Sequence, residues 1–197
     1  MKKRNPPSAL NPNWDSLKQN LNPRVTVVNA WGNVVYDEYV RPLEPVVDFR
    51  TNISGIHPWN MKKAKNFMIV QKKVAELIKG RILVGHALHN DLKVLLLSHP
   101  KKDIRDTSEY KPFLSRDGRR RALKDLAAEI LGIRIQQKQH CPIQDARAAM
   151  LIYKKYQKAW EKSIKRLDKL KQKIKKKHKK KSMEKAAAES DETVVLS

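Results

Sequence analysis

Apolar positions along the chain fall into short runs with two different periods. Val25, Val27 and Val28 read as a strand. Trp31-Gly32-Asn33 reads as a turn, and Val34-Val35-Tyr36 through Tyr39-Val40 as a second strand, so an antiparallel hairpin is predicted over 24–40. Pro42 and Pro45 end it. Residues 65–79 switch to helical spacing, with Phe67, Val70, Val74, Leu77 and Ile78 on one face and Gly80 at the end. Arg81 to Val84 is a short apolar strand broken by Gly85. A helix with Leu88, Leu92, Leu95 and Leu96 in line follows, and Pro100 lies beyond it. Lys102 to Thr107 reads as one more strand, and Ser115 to Arg121 as a basic loop. Leu123, Leu126, Ala127, Ile130 and Leu131 mark an amphipathic helix closed by Gly132. A last helix opens at Pro142, a residue suited to the first helical position, with Ala146, Ala149, Met150, Tyr153 and Trp160 as its apolar stripe.

Three segments follow from this pattern. Residues 1–23 are rich in Asn, Pro and Lys and read as a flexible N-terminal segment. Residues 24–161 alternate strands and helices, which predicts an α/β layered domain. Residues 162–197 form a basic C-terminal tail, disordered or partly helical. Ile164, Leu167, Leu170 and Ile174 extend an apolar stripe into it, and the run Lys175 to Lys181 is a solvated arm. No internal repeat is evident.

Charge sharpens the picture. Of 197 residues, 43 are Lys or Arg and 20 are Asp or Glu, a formal net charge of +23, so a polyanion such as nucleic acid is the expected partner. A single cysteine, Cys141, excludes an internal disulfide framework and points to a reducing compartment. No apolar run approaches the ~20 residues of a membrane span. Met1 to Leu10 lacks the apolar core of a secretory signal. The expectation is one compact domain with tails, or at most two small ones, and no membrane partner. The oligomeric state is not legible.

Two places carry candidate chemistry. In Gly85-His86-Ala87-Leu88-His89-Asn90-Asp91-Leu92 a strand ends and Asp91 sits early in the next helix, at the strand edge where α/β sheets gather their sites. Taken alone, Asp91 reads more readily as a charge balancing the helix dipole than as a site residue. In His140-Cys141-Pro142-Ile143-Gln144-Asp145 an imidazole lies just outside a helix and a carboxylate about one turn in. By itself that pair reads equally as a surface His and an acidic first turn. Together, Asp91, His140 and Asp145 are what metal-assisted phosphodiester hydrolysis uses: carboxylates for divalent ions and a base for water. Zinc binding through His86, His89 and His99 matches no zinc spacing.

These segments resemble the RNA exonuclease 4 group of the DEDDh-type 3′→5′ exonucleases. Residues 85–95 are similar to the group's second motif. Residues 140–150 are similar to its third, with the His five residues before the Asp. Ile104-Arg105-Asp106-Thr107, Tyr110-Lys111-Pro112-Phe113, Tyr36 to Pro42 and Asp48-Phe49-Arg50-Thr51 also match. The resemblance implies a ribonuclease-H-like mixed sheet flanked by helices, Asp91 and Asp145 as ligands of Mg²⁺ or Mn²⁺, and His140 as general base. It further implies 3′→5′ removal of nucleotides from RNA, a nuclear or nucleolar setting, and ribosomal RNA processing. The residues do not separate RNA from DNA as substrate. Expected nucleic-acid contacts are His86, Asn90, Arg119, Arg120, Lys176, Lys177, Lys179 and Lys180.

One motif of the group is missing. Its first strand carries Asp-x-Glu, and no Asp-x-Glu occurs in this sequence. Asp37 and Glu38 are adjacent, so on a strand they face opposite sides, and they stand at the hairpin instead. The expected fold therefore lacks its first, central strand. Two metal ions are expected for the complete site, and with half the carboxylates the expected activity is impaired. The alternative is a non-catalytic basic module that binds RNA or a protein partner.

Overall fold

The structure, a computed structural model, describes residues 24–41, 49, 51–137 and 140–191; for residues 52, 53, 180, 181 and 184–191 it describes the backbone alone. The readings of 1–23, of 42–48 and of Arg50 lie outside the described residues, as does the side chain of Lys180. The chain divides into two compact units, Met1–Lys154 and Lys155–Ser197.

The predicted hairpin is present in the first unit. Strand β1 (Arg24–Val28) pairs antiparallel with β2 (Val34–Arg41), Thr26 opposite Asp37 and Val27 opposite Tyr36, with a bulge between Val27 and Val28. The turn is built by Asn29, whose side-chain oxygen accepts the N–H groups of Trp31 and Asn33 at 2.9 and 3.0 Å. Gly32 takes the positive φ of 82° that the turn needs. After a short helix α1 (Thr51–Ser54) and a 3₁₀ segment (Pro58–Lys63), a two-residue strand β3 (Lys65–Asn66) runs parallel to β2. The side chain of Asn66 then caps helix α2 (Phe67–Ile78) by accepting from Met68 N at 2.8 Å.

Helix α2 organises the core. Its stripe Phe67, Val70, Val74 and Ile78 is buried with Val40 of β2 and with Leu95. Val25 of β1, Tyr36, Leu83, Leu92 and Leu97 pack against the same cluster. Strand β4 (Leu83–Gly85), helix α3 (Leu88–Val94) and β5 (Ile104–Asp106) form a crossover with the two strands parallel, Gly85 opposite Asp106. Helix α4 (Leu123–Leu126) continues as a wide π turn over Ala127–Leu131 and stops at Gly132, whose φ is 70°. Helix α5 spans Pro142–Asp191. Among the described residues no helix is long and apolar enough to cross a membrane.

The strands form two separate sheets, β1-β2-β3 and β4-β5. Among the described residues β1 pairs only with β2, and β4 only with β5. All five residues of β1 and all three of β4 are half-exposed. Strands inside an α/β sheet are ordinarily covered on both faces. The two sheets share one apolar helix, α2, and among the described residues no strand bridges them.

Three readings differ from the structure in detail. Leu96 is not on the α3 stripe: the helix ends before it, its φ is 51°, and it is 52% exposed. The strand expected at 81–84 sits at 83–85, because Gly85 still pairs with Asp106. The lysine run at 175–181 is helical, since α5 meets no Gly or Pro after Pro142 and Lys tolerates helix well.

Candidate active site

The parallel strands β4 and β5 end side by side, and the candidate chemistry begins there. The chain turns from β4 into α3 through Ala87, which adopts a left-handed conformation (φ 59°, ψ 38°) that costs a non-glycine residue roughly 1–2 kcal/mol. Asp106 offsets that cost. Its carboxylate accepts the N–H groups of Ala87 and Leu88 at 2.9 and 2.8 Å, and the N–H and hydroxyl of Ser108 at 2.9 and 2.8 Å. The first N–H groups of a helix have no partner within it, so β5 caps α3 from across the crossover. Asp106 is buried. Gly85 must be small, because a Cβ there would lie 2.4 Å from Cδ2 of the buried Leu88 and 2.8 Å from its Cγ.

This frame sets His86 and Asp91. The hydroxyl of Thr107 donates to Gly85 O at 2.9 Å and stands 3.0 Å from His86 Nδ1, which assigns the Nδ1–H tautomer and leaves Nε2 as acceptor. Burial lowers the His86 pKa, helped by Arg120 and opposed by Asp106 and Asp145. Asp91 lies one turn into α3. Asp91 is exposed at the surface, yet protein crowds round its carboxyl. That crowding, with the charge of Asp106 second, pushes its pKa up to about 6. Among the described residues its carboxylate has no hydrogen-bond or ion-pair partner.

Asp145 belongs to the first turn of α5. Its Oδ1 accepts from Gln136 Nε2 at 2.9 Å, and its Oδ2 lies 3.6 Å from His140 Nδ1. Burial raises its pKa, while Gln136, His140 and His86 pull it down. Gln136 reaches it from a left-handed backbone position, φ 57°. His140 is exposed.

The structure brings some expected residues together and not others. His140 meets Asp145 directly. His86 is influenced by Asp106, Asp145 and Arg120, and Asp91 by Asp106, so the two motifs share neighbours. Asp91, His140 and Asp145 do not, however, place ligand atoms within 4.8 Å of one another. His89, Asp106 and Glu109 do. That trio is a poor cation site: Asp106 already accepts four hydrogen bonds, and Glu109 pairs with Arg120 at 2.7 Å. The sequence alone assigns no role to Asp106 or Gln136. Each acts across a turn or between strands, with no local signature.

The remaining expected contacts are exposed. Asn90 stands on the outer side of α3. Arg119 pairs with Asp117 at 2.8 Å, Arg120 with Glu109, and Arg121 with Glu129. Three of the four arginines of the basic loop thus carry their own counter-charge. Exposed pairs of this kind are weak and yield readily to a phosphate. Lys176, Lys177 and Lys179 are exposed on α5 in the second unit.

The acids of the hairpin are engaged elsewhere. Asp37 is held by two of the Arg24 guanidinium nitrogens, Nε at 2.9 Å and Nη2 at 2.6 Å, and by the Thr26 hydroxyl at 2.6 Å. Arg24 lowers the Asp37 pKa. Glu38 pairs with Lys65 of β3. Neither is a substitute for the missing Asp-x-Glu.

Two pieces of sheet, a capped crossover helix and acids on two helix starts are features of the ribonuclease-H-like class of α/β domain. Residues 23–153 match the RNase T family of exonucleases, and the chain belongs to that family. Within it the likeness is to proteins named RNA exonuclease 4. The chain is 57% identical to that of Mus musculus over 147 residues, 74% of this chain and 34% of the relative. Against that of Saccharomyces cerevisiae it is 50% identical over 147 residues, 74% of this chain and 51% of the relative. The chain thus spans about a third of the mouse relative and about half of the yeast one. Among solved structures it resembles the Pan2 catalytic unit of Neurospora crassa, with a TM-score of 0.62 and 28% identity over 74% of this chain and 26% of that one. The Saccharomyces cerevisiae Pan2 exonuclease module in complex with AAGGAA RNA gives 0.62 and 32% over 72% and 25%.

Proposed function

We propose that the chain is a 3′→5′ exoribonuclease unit, acting in ribosomal RNA processing in the nucleus or nucleolus, whose own hydrolytic activity is impaired. The family, the relatives named RNA exonuclease 4 and the RNA-bound Pan2 structures support the substrate class. The net charge of +23 and the lysines of α5 support RNA contact and nuclear retention.

Impairment rests on one observation: the acids of the hairpin, Asp37 and Glu38, are committed to Arg24, Thr26 and Lys65, which among the described residues leaves Asp91 and Asp145 as half a set. Asp91, unpartnered and raised in pKa, fits a divalent cation such as Mg²⁺ or Mn²⁺. Asp145 fits one only in competition with Gln136 and His140. Two carboxylates do not fit the two-ion arrangement of the complete family site. Such ions supply charge for the phosphate oxygens and an acidified water. His140 is the proposed base, its Nδ1 turned to Asp145. His86, Asn90, Arg119 and Arg120 are proposed to face the RNA backbone.

The test is a 5′-labelled single-stranded RNA incubated with purified protein and Mn²⁺. Slow shortening from the 3′ end, lost in Asp145→Ala, is expected. Robust hydrolysis that Asp145→Ala abolishes would overturn impairment. RNA binding without any cleavage, weakening steeply with salt, would instead establish a non-catalytic RNA-binding module.

A further inference from the structure

The second unit carries a feature that nucleic-acid binding leaves unused. Along α5, Leu167, Leu170 and Ile174 are exposed by 55%, 47% and 56%, and the half-exposed Ile164 precedes them. Their spacing of three and four residues puts them on one side of the helix, a seam that runs for roughly 15 Å at 1.5 Å per residue. Single exposed aliphatics are ordinary on a protein surface, whereas an in-register row of them on a helix is the pattern of a helix–helix seam.

The flanks of the seam are basic. Arg166, Lys171 and Lys173 border it, and between Lys162 and Lys179 the only acid is Asp168. The pairs Lys165–Lys169, Lys169–Lys173, Lys171–Lys175 and Lys173–Lys177 stand four residues apart, where like charges repel and weaken the helix. A second copy of this chain would set Arg166 and Lys171 against their own kind across the seam, so self-pairing is disfavoured. RNA would relieve the repulsion but has no use for three aliphatic side chains. An acidic helix with its own apolar stripe satisfies both features at once.

We propose that residues 164–177 of α5 are a docking seam for an acidic amphipathic helix of another protein, with Leu167, Leu170 and Ile174 as its apolar anchors. The partner presents aliphatic residues at its core positions and Glu or Asp at the flanking ones. The lysines beyond Ile174 remain for phosphate contact.

The test uses the full chain and a fluorescent synthetic four-heptad peptide with Leu and Ile at core positions and Glu at the flanks. Its counterpart carries Lys at the flanks. Anisotropy at near-physiological salt reads binding, and a single-stranded RNA oligonucleotide is titrated in parallel. The expected result is binding of the Glu peptide alone. In L167Q/L170Q/I174Q that binding is expected to weaken about tenfold or more, with RNA affinity unchanged. Gln is at least as good a helix former as Ile, and circular dichroism confirms that helix content is retained. Equal binding of the Glu peptide to the triple variant would reduce the effect to charge and overturn the proposal, as would binding of the Lys peptide. Loss of RNA affinity in the triple variant would assign the seam to nucleic acid. A dimer of the wild-type chain in sedimentation, absent in the triple variant, would assign it to a second copy.

Discussion

The side-chain amide of Gln136 donates to Oδ1 of Asp145 at 2.9 Å, and so occupies a position that a cation would need. A hydrogen bond of this kind contributes about 0.5–1.5 kcal/mol net. Gln136→Ala is therefore expected to tighten Mn²⁺ binding by about two- to tenfold, read as loss of the free-ion signal in electron paramagnetic resonance at a pH where Asp145 is ionised. The double variant Gln136→Ala, Asp145→Asn is expected to show no such gain. Unchanged or weaker affinity in the single variant would mean that Gln136 holds Asp145 in place for the ion instead of standing in for it.

Asp106 and Asp91 lie at the same end of α3 and are expected to separate cleanly by mutation. Asp106 is buried and accepts four hydrogen bonds, two of them from the start of the helix. Asp106→Ala leaves those donors unpaired, and a loss of about 2–4 kcal/mol is expected in urea unfolding. Asp91 has no such partner, so Asp91→Ala is expected to cost no comparable stability while removing whatever cleavage the protein has. An Asp106→Ala protein as stable as wild type would refute the capping role.

Much of this arrangement is written in local spacing, and the part that is not has a physical reason. Helix α2 is legible because Phe67, Val70, Val74 and Ile78 repeat at helical period with lysines between them. The meeting of His140 and Asp145 is legible because five residues and a proline-opened helix bring them together. Asp106 reaches Ala87 and Leu88 across 19 and 18 residues, and its role appears only when β5 lies beside β4. The two-residue β3 is too short to show a period. Leu96 continues the spacing of α3 but not its geometry, because the chain has already turned left-handed there.

The raised pKa of Asp91 predicts a pH dependence of stability with a definite sign. Its carboxyl holds a proton more tightly in the folded chain, about 6 against 3.8, so the proton favours folding. The contribution is complete below about pH 4 and is lost as pH rises through about 6. Asp91→Asn is neutral throughout and escapes that loss. The variant is expected to match wild type near pH 4 and to exceed it near pH 7. Solvent on the open side of Asp91 screens the charge, so the gain is set at only about 1 kcal/mol. Asp37, whose pKa is lowered by Arg24, acts in the opposite sense in both proteins and cancels in the difference. A difference that does not change across this range would show that Asp91 is not strained by its surroundings.

The free edges of β1 and β4 predict what a supplied strand would do. Among the described residues each has pairing on one side only, and α2 packs against both sheets. A strand of the family's first-motif type, Leu-Asp-Cys-Glu-Met-Val-Gly with a short linker, inserted ahead of Arg24, would pair with both edges and bring two further carboxylates to the site. Two effects are expected, and they have separate causes. Pairing of the edge N–H and C=O groups raises Tm by about 4 °C or more. The added charges raise Mn²⁺-dependent RNA hydrolysis by about a hundredfold, equivalent to ~2.7 kcal/mol of transition-state stabilisation. An insert with Asn and Gln in place of its acids retains the first effect and loses the second. If the acidic insert raised neither Tm nor activity, the two sheets would not be the halves of an interrupted one, and the account of impairment given by the missing strand would fail with it.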